Sequence, residues 1–260
     1  MELSDTRVAV CGDWHGNVGW VRTLAPAIGR LAPDVTTILQ VGDWWMDTEL
    51  TDPVFLDAGI ERVLVTLGNH EPWPRVVRAL DVAPGEAVQV SEVTWLLPRP
   101  YRFGVGGRQI LSLGGATSVD QQWRVPGREW WAEEAITDEH VDAAIAGGPA
   151  DVMLTHASPA RTPVRAVQEI LSRNPTEFPD EVLVESAESR ERVARVWDAV
   201  RPDVLMHGHM HAPGAGTTND GRRVVSLGRD TQDGSLALVD LATLSVVSPS
   251  LREIREAAHG

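Results

Sequence analysis

Cysteine is almost absent from the chain, and so are long hydrophobic runs and the features of a secretion signal. Cys11 is the only cysteine, so no disulfide can form within the chain. No apolar run approaches the ~20 residues that a membrane-spanning helix needs. The first residues, Met1 to Asp5, lack the basic region and the apolar stretch of a secretion signal. The sequence therefore predicts a cytoplasmic protein without a membrane span.

Basic residues are also fewer than acidic ones, with 23 Lys and Arg against 37 Asp and Glu. The formal net charge is -14 and the sequence pI is about 4.9. Proteins that bind long nucleic acids usually carry a basic stripe, and the scattered arginines form none. A long nucleic acid is therefore disfavoured as a substrate. A small anionic substrate stays possible, because bound cations can reverse the local field at a site.

Strand and helix patterns alternate along the chain, which has 260 residues and a hydrophobic content of 43%. This length and composition fit a single globular domain over residues 1–260. A tryptophan-rich segment around 116–135 shows neither the helical nor the strand periodicity of apolar residues, and it is interpreted as an insertion. The alternation predicts an α/β fold with parallel connections. The predicted strands are 7–12, 35–41, 62–67, 109–113, 151–155, 204–206, 223–227, 236–239 and 244–247, and the predicted helices are 18–31, 138–146 and 185–200.

Five short polar segments each follow a predicted strand. In an open α/β sheet, ligands gather at the carboxyl ends of the strands, so chemistry is expected at these positions. Six of the eight histidines lie in or beside the segments, which a random scatter would not produce. The segments are Gly12-Asp13-Trp14-His15-Gly16-Asn17, Gly42-Asp43, Gly68-Asn69-His70-Glu71, Thr155-His156 and Gly208-His209-Met210-His211.

The segments supply a mixed set of oxygen and nitrogen donors. Two carboxylates, one amide oxygen and four imidazoles suit Mn, Fe, Zn, Ni or Co better than Mg or Ca alone. Seven donors exceed the needs of one tetrahedral ion and suit two ions that share a carboxylate. Alternate residues of an extended segment share a face, so Asp13 and His15 point the same way, as do His209 and His211. The pattern predicts a site for two metal ions.

In order and spacing, the segments resemble the D-x-H, G-D, G-N-H-E, H and G-H-x-H blocks of the calcineurin-like metallophosphoesterases. The resemblance runs from Asp13 to His211, which is most of the chain. It implies a four-layer αββα sandwich with a dinuclear metal site at the C-terminal edge of the strands. It also implies hydrolysis of phosphomonoesters, phosphodiesters or both by attack of a metal-bridging hydroxide. The expected partner is a small phosphate-ester substrate.

The resemblance also implies a role for each donor. His70 would not bind metal but would act near the leaving group as general acid or transition-state stabiliser. The cofactors would be two divalent ions, with Mn as the first expectation and Fe, Zn, Ni or Co as alternatives. Asp13, His15 and His211 would bind the first metal, Asn69, His156 and His209 the second, and Asp43 would bridge both.

Some assignments leave alternatives open. His207 also alternates with His209, but the family block places glycine before its first histidine, which selects His209 and His211. Arg124 lies in a stretch that resembles some bacterial and phage members, where it would contact a substrate phosphate or pair with Asp120. The 10 tryptophans, several of them near proposed ligands, would either fill the core or form an aromatic wall for a base or aryl group.

The same residues also bear on other functions. A nuclease or RNA-processing phosphodiesterase is the main alternative, and a basic, aromatic-lined groove near the metals would favour it. A protein phosphatase is disfavoured because no arginine follows the Asp43 block, which reads Gly-Asp-Trp-Trp-Met-Asp. A non-catalytic interaction module on the same fold is expected to have lost ligands, whereas every ligand position is filled here.

Overall fold

Two seven-stranded β-sheets lie at the centre of the chain, which a computed structural model describes over residues 1–260. The strands are β1 Glu2–Leu3, β2 Arg7–Cys11, β3 Thr37–Gln40, β4 Arg62–Val65, β5 Val88–Gln89, β6 Thr94–Leu96, β7 Tyr101–Val105, β8 Arg108–Leu113, β9 Val152–Thr155, β10 Val204–His207, β11 Gly214–Thr217, β12 Arg223–Ser226, β13 Leu236–Asp240 and β14 Val246–Val247. The helices are α1 Val18–Leu31, α2 Thr48–Asp57, α3 Trp73–Leu80, α4 Asp138–Ala146, α5 Arg165–Arg173, α6 Asp180–Val200 and α7 Leu251–His259.

Each sheet has a parallel centre flanked by antiparallel pairs, and the edge strand β1 pairs in parallel with β7. One sheet has the order β14-β13-β2-β3-β4-β6-β5, in which β2, β3, β4 and β6 run parallel. The other has the order β1-β7-β8-β9-β10-β12-β11, in which β8, β9, β10 and β12 run parallel. The carboxyl ends of β2, β3 and β4 therefore meet at one edge of the first sheet, and those of β9 and β10 meet at one edge of the second.

Successive side chains along each strand face opposite sides of the sheet, and so pack into different layers. Val8 and Val10 of β2 enter the core between the sheets, which also contains Leu154 and Met206 of the other sheet. Ala9 and Cys11 face the opposite way, toward α1, α2 and α7. In the second sheet, Met153 and Leu205 face α4 and α6. The result is a four-layer αββα sandwich, which confirms the predicted fold class.

The predicted helices 18–31 and 138–146 agree with α1 and α4 at both ends. Helix α6 begins at Asp180 rather than at residue 185, directly after Pro179 and with two acidic residues in its first turn. Helix α7 was not predicted, although Ser250 and Glu253 form a capping box at its start. The short helices α2 and α3 were also missed, and Pro53 inside α2 obscures its pattern.

The tryptophan-rich segment 116–135 contains only two 3₁₀ turns and one isolated bridge, between Pro126 and Trp130. It lies between β8 and α4 and reaches the edge where the five polar segments meet. None of the helices combines the length and the apolar character needed to cross a membrane.

Candidate metal centre

All seven predicted donors lie within four residues after the ends of strands, at the common edge of the two sheets. Asp13 and His15 follow β2, Asp43 follows β3, and Asn69 follows β4. The other three follow strands of the second sheet: His156 follows β9, and His209 and His211 follow β10. The site therefore forms only when both sheets pack together.

Asp13 lies at the centre of one group of donors. Its Oδ2 atom lies 2.9 Å from Nε2 of His211 and 3.9 Å from Nε2 of His15. The Asp13 side chain is fully buried, and its carboxylate also accepts the backbone N–H of His209 at 3.1 Å. The ligand atoms of Asp13, His15 and His211 all lie within 4.8 Å of one another, close enough to share one ion.

Asp43 faces both groups of donors. Its Oδ2 lies 3.6 Å from Nε2 of His15, and its Oδ1 lies 3.3 Å from Nε2 of His156. The same His156 nitrogen lies 3.0 Å from the amide oxygen of Asn69. Asp13, Asp43 and His156 form a second set within 4.8 Å. His209 belongs to neither set, but its ring lies 5.0 Å from the ring of His156.

The backbone at these donors adopts uncommon conformations. His15, Asp43, His209 and His211 all have positive φ angles between 47° and 64°. Such conformations cost free energy in non-glycine residues and persist where the surroundings enforce them, often at functional sites. Gly42, with φ of 105°, lets the chain pass the His156 ring, since a Cβ there would lie 2.2 Å from its Nδ1. The surrounding fold thus holds four of the donors in strained conformations at the sheet edge.

Buried charges at the site balance one another. Burial opposes ionisation of Asp43, but His156 and His70 hold its pKa well below the usual range. Burial also disfavours protonation of His156, yet Asp43 and Asp13 outweigh it and raise the pKa of His156 to about 10. For His209, burial and the neighbouring His156 lower the pKa to about 3. The carboxylates thus favour a cation between them, which suits divalent metal ions.

Two carboxylates that sequence analysis did not assign support the donors. Asp230 accepts from Nδ1 of His15 at 3.1 Å and from the Asn17 amide at 2.6 Å, which orients the imidazole. Glu71 is fully buried and accepts the backbone N–H groups of Trp44, Trp45 and Gly68 at 3.0 to 3.2 Å. Glu71 lay in a recognised segment, whereas Asp230 had no sequence signal near it.

A hydrogen-bonded chain from the tryptophan-rich segment reaches Asn69. The Asn69 amide donates to Ser118 Oγ at 2.9 Å, and that hydroxyl lies 2.8 Å from Oε2 of Glu134. Glu134 also accepts from the Ser118 backbone N–H at 2.6 Å and from Trp130 Nε1 at 3.0 Å. This chain orients the Asn69 side chain so that its amide oxygen faces His156.

His70 lies beside the donors and contacts Arg124. Its backbone N–H donates to Asp43 Oδ1 at 2.8 Å, while Nη2 of Arg124 donates to its ring Nε2 at 2.5 Å. Arg124 also pairs with Asp120 at 2.7 Å, so the pairing considered from the sequence does form. Burial, followed by the charge of Arg124, lowers the pKa of His70 despite the carboxylate of Asp43. Because Arg124 always donates, Nε2 of His70 is the acceptor in this arrangement.

His207 lies outside the cluster of donors. It is fully buried in β10, its Nδ1 lies 2.9 Å from the Gly208 carbonyl, and its Nε2 has no partner. Burial lowers its pKa to about 4. By strand alternation it shares a face with Leu205, whose side chain packs toward the helices. This placement agrees with the choice of His209 and His211.

The tryptophans near the site divide between core and surface. Trp14, Trp44 and Trp73 are buried in the core, and Trp73 donates to the Asn69 carbonyl at 3.2 Å. Trp45 instead lies at the site, 5.6 Å from the His15 ring and 5.5 Å from the His70 ring. Trp123 is 62% exposed. Most of the nearby aromatic residues therefore pack the fold, and Trp45 and Trp123 remain available to a ligand.

Comparison with known families identifies the chain. The family model described as calcineurin-like phosphoesterase matches residues 6–213, most of the chain and all five polar segments. The chain belongs to this family. It is therefore a metallophosphoesterase, and the family together with the two donor sets indicates a dinuclear divalent metal site. Comparison with curated proteins finds no significant match.

Solved structures share the fold of this calcineurin-like phosphoesterase at low sequence identity. A dimetal phosphatase from Danio rerio is 11% identical, with a TM-score of 0.60 and coverage of 95% of this chain and 97% of that one. TT1561 of Thermus thermophilus is 14% identical, with a TM-score of 0.54 and coverage of 95% and 99%. GAP50, the anchor in the inner membrane complex of Plasmodium, is 12% identical, with a TM-score of 0.52 and coverage of 95% and 84%. These likenesses concern the fold alone.

Proposed function

We propose that this phosphoesterase hydrolyses small phosphate esters, monoesters or diesters or both, at a dinuclear centre. The observation that carries the proposal is the position of Asp43, whose two carboxylate oxygens face His15 on one side and His156 on the other. Asp43 would bridge the ions, with Asp13, His15 and His211 on one side and Asn69, His156 and His209 on the other. The proposal assigns these residues the roles that the family resemblance implies.

Divalent cations at these donors would supply the positive charge that binds the phosphate and the activated nucleophile for hydrolysis. The protein's part is to hold the donors and to orient the ester. Asp230 fixes the His15 ring, and Ser118 fixes the Asn69 amide. Because these partners are buried or half-buried, the donors are held in place before substrate arrives. Mn remains the first candidate metal, with Fe, Zn, Ni or Co as alternatives.

His70 and Arg124 would act on the substrate rather than on the metals. We propose that His70 hydrogen-bonds the leaving-group oxygen, as general acid or as stabiliser of its developing charge. Arg124 binds Nε2 of His70 and would turn toward a phosphate oxygen once substrate enters. Its ion pair with Asp120 holds it beside the site until then.

A phosphodiesterase acting on nucleic-acid strands is the second candidate, and one surface feature favours it. An open groove of about 510 Å³ adjoins His70 and is lined by Trp45, Trp123 and Trp131 together with Arg75 and Arg124. Aromatic and cationic side chains of this kind stack on bases and bind phosphates. The net charge of -14 still disfavours long strands, so short oligonucleotides are the relevant substrates.

A metal reconstitution experiment tests both candidates. Protein stripped of metal is loaded with Mn, Ni, Zn or Mg and assayed on an aryl phosphomonoester, a bis-aryl phosphodiester and a short single-stranded oligonucleotide. We expect hydrolysis of a small ester at a metal content that approaches two ions per chain. A content that never exceeds one contradicts the dinuclear centre. Failure to cleave any substrate with any metal contradicts the proposed activity, and preference for the oligonucleotide favours the second candidate.

A further inference from the structure

A cavity of about 360 Å³ opens directly from the metal centre, on the side where α5 and α6 cover the sheet edge. Its volume falls within the range typical of small-ligand sites, roughly 300–1,000 Å³. One end is formed by the proposed metal ligands Asp43, Asn69, His209 and His211, with His70 beside them. A phosphate ester bound at the metals would therefore extend its organic part into this cavity, here named the α5–α6 pocket.

The walls of the α5–α6 pocket are largely apolar. Ile170 and Leu171 come from α5, Leu183 from α6, and Phe178 from the connection between the two helices. The connection is held by Asn174, whose amide donates to the Phe178 carbonyl at 2.9 Å and accepts the Phe178 N–H at 3.0 Å. Phe178 also packs on Trp123, with ring centroids 5.6 Å apart. The apolar wall is thus fixed by side-chain contacts of its own.

Arg190 of α6 is the only arginine in this lining, which contains no lysine. Its Nε donates to the Ser186 carbonyl at 3.3 Å, and the guanidinium forms no ion pair. The neighbouring Glu191 already pairs with Arg161 at 2.8 Å. Burial lowers the pKa of Arg190, with only Glu191 opposing.

The acidic residues of the lining do not neutralise Arg190. Asp43 is a proposed metal ligand, and Asp120 pairs with Arg124 at 2.7 Å. Arg190 is half-buried, and an anion that enters the pocket would form a charge-assisted hydrogen bond with its guanidinium in place of water. The pocket thus combines a phosphate site, an apolar wall and a free cation.

We propose that the α5–α6 pocket selects phosphate esters whose organic part is apolar and carries a second anionic group, which Arg190 binds. The second group is a carboxylate or a phosphate, and either would form a charge-assisted hydrogen bond with the guanidinium. The proposal rests on the proposed hydrolysis at the metal centre and adds the substrate class. Arg190 is in this account a specificity-determining residue that contacts substrate away from the reacting phosphorus.

Matched substrates separate charge recognition from leaving-group chemistry. The neutral probe is 4-propylphenyl phosphate, and the acidic probe replaces the end of its propyl group with a carboxylate, giving 4-(2-carboxyethyl)phenyl phosphate. Two methylenes insulate the carboxylate from the phenol, so the leaving groups are closely similar. With Mn-loaded enzyme we expect kcat/KM for the acidic probe to exceed that for the neutral probe by about tenfold or more, chiefly through KM. A third probe ends in a phosphonate, which carries a phosphate-like charge but has no ester bond to hydrolyse at that end. It distinguishes the two anions, and a preference for either supports the proposal.

Variants then assign the preference to Arg190. In Arg190→Gln the ratio of kcat/KM values should fall to about one, and in Arg190→Lys part of the preference should return. The matched control is Arg165→Gln on α5, an exposed arginine that pairs only with Glu169 and lies outside the pocket, so the wild-type ratio should persist. A merely structural role for Arg190 would lower the melting temperature and leave the ratio unchanged. Melting curves of each variant are therefore recorded beside the kinetics.

The outcomes separate this inference from the proposed function. Equal hydrolysis of all three probes by wild-type enzyme overturns the pocket proposal and leaves phosphoesterase activity in place. A preference that persists in Arg190→Gln likewise overturns the role of Arg190. Absence of hydrolysis of every probe, with two metals bound, contradicts the proposed function and the inference with it.

Discussion

Asp43 connects the two donor sets because each of its oxygens faces a different imidazole, His15 or His156. An amide at this position keeps the shape but offers only one good acceptor and no charge. We therefore expect Asp43→Asn to lose at least one metal ion per chain and to lower hydrolysis by ~10²-fold or more. Elemental analysis after Mn loading and dialysis, together with an aryl phosphate assay, measures both effects.

Asp47→Asn is the matched control for Asp43→Asn. Asp47 lies four residues further along and caps α2, where it accepts the Glu49 N–H at 3.2 Å. Asparagine is an equally good N-cap, so this variant should keep both metal content and activity. Equal losses in the two variants would show that general loss of negative charge, rather than bridging, explains the result.

His70 should be separable from the metal ligands although it follows Asn69 directly. Its ring contacts Arg124 rather than a donor atom of either metal set. We expect His70→Ala to retain metal near the wild-type content. Hydrolysis should fall by ~10²-fold or more for an alkyl leaving group and by less for a nitrophenyl ester, which departs without a proton.

His209→Ala is the comparison for His70→Ala. It should lower metal affinity and slow both esters together, because it removes a proposed ligand. Equal losses for the two esters in His70→Ala, with metal intact, would remove the general-acid role and leave charge stabilisation. That outcome would agree with the present arrangement, in which Nε2 of His70 accepts from Arg124.

The proposed donors could be predicted from sequence because each lies in a short segment that follows a strand. Asp13 and His15 are two positions apart, and so are His209 and His211. The supporting residues could not be identified in this way. Asp230 contacts His15 across 215 positions of sequence, and no local pattern encodes such a contact. The orientation of His15 is thus a property of the packed fold.

Among the helices and strands too, those with a clear local pattern were predicted, and those defined by contacts distant in sequence were not. Strands such as β2 and β9 were predicted because both of their faces are buried, which gives short apolar runs before a polar segment. Helices α2, α3 and α5 each place only one or two apolar side chains in the core, which are Phe55 in α2, Trp73 and Val76 in α3, and Val167 in α5. Their apolar faces are defined by neighbours distant in sequence, as the pocket walls of α5 and α6 show.

The tryptophan-rich segment is attached to the site through Glu134, which is 2% exposed. Burial raises the pKa of Glu134 to about 7, despite its hydrogen bonds with Ser118 and Trp130. Because the folded state then binds a proton more tightly than the unfolded state, stability is highest below the unfolded pKa near 4.5 and falls as pH rises toward 7. The free energy of unfolding falls by about 3 kcal/mol at most over this pH range.

Glu134→Gln tests this titration, since glutamine keeps an acceptor for Trp130 and a donor for Ser118 but cannot ionise. We expect its free energy of unfolding to fall less steeply than that of wild type between about pH 5.5 and 8. Urea unfolding at several pH values measures the difference. Glu133→Gln, at an exposed position, should retain the wild-type pH dependence. Parallel profiles for wild type and Glu134→Gln would show that Glu134 is ionised throughout.

At the scale of the whole molecule, the metal centre lies where the two sheets meet, so metal binding is coupled to folding. Asp13 and Asp43 are both buried, and with the neighbouring imidazoles they concentrate polar groups at the end of an otherwise apolar core. Ions that bind only the folded state stabilise it by mass action, by about 2.7 kcal/mol at a hundredfold excess over Kd. For a chain of this size that corresponds to roughly 5–10 °C in melting temperature.

Chelation should therefore lower the melting temperature by about this amount, and Mn added in excess over the chelator should restore it. Calorimetry or the tryptophan signal, with metal content measured on the same samples, gives the comparison. Asp43→Asn serves as the control, because a variant that has lost a metal should show a smaller shift with EDTA. An unchanged melting curve in wild type, with metal removal shown directly, would mean that packing of the two sheets alone sets the stability. The buried carboxylates would then be tolerated through their imidazole partners, and the ions would serve catalysis only.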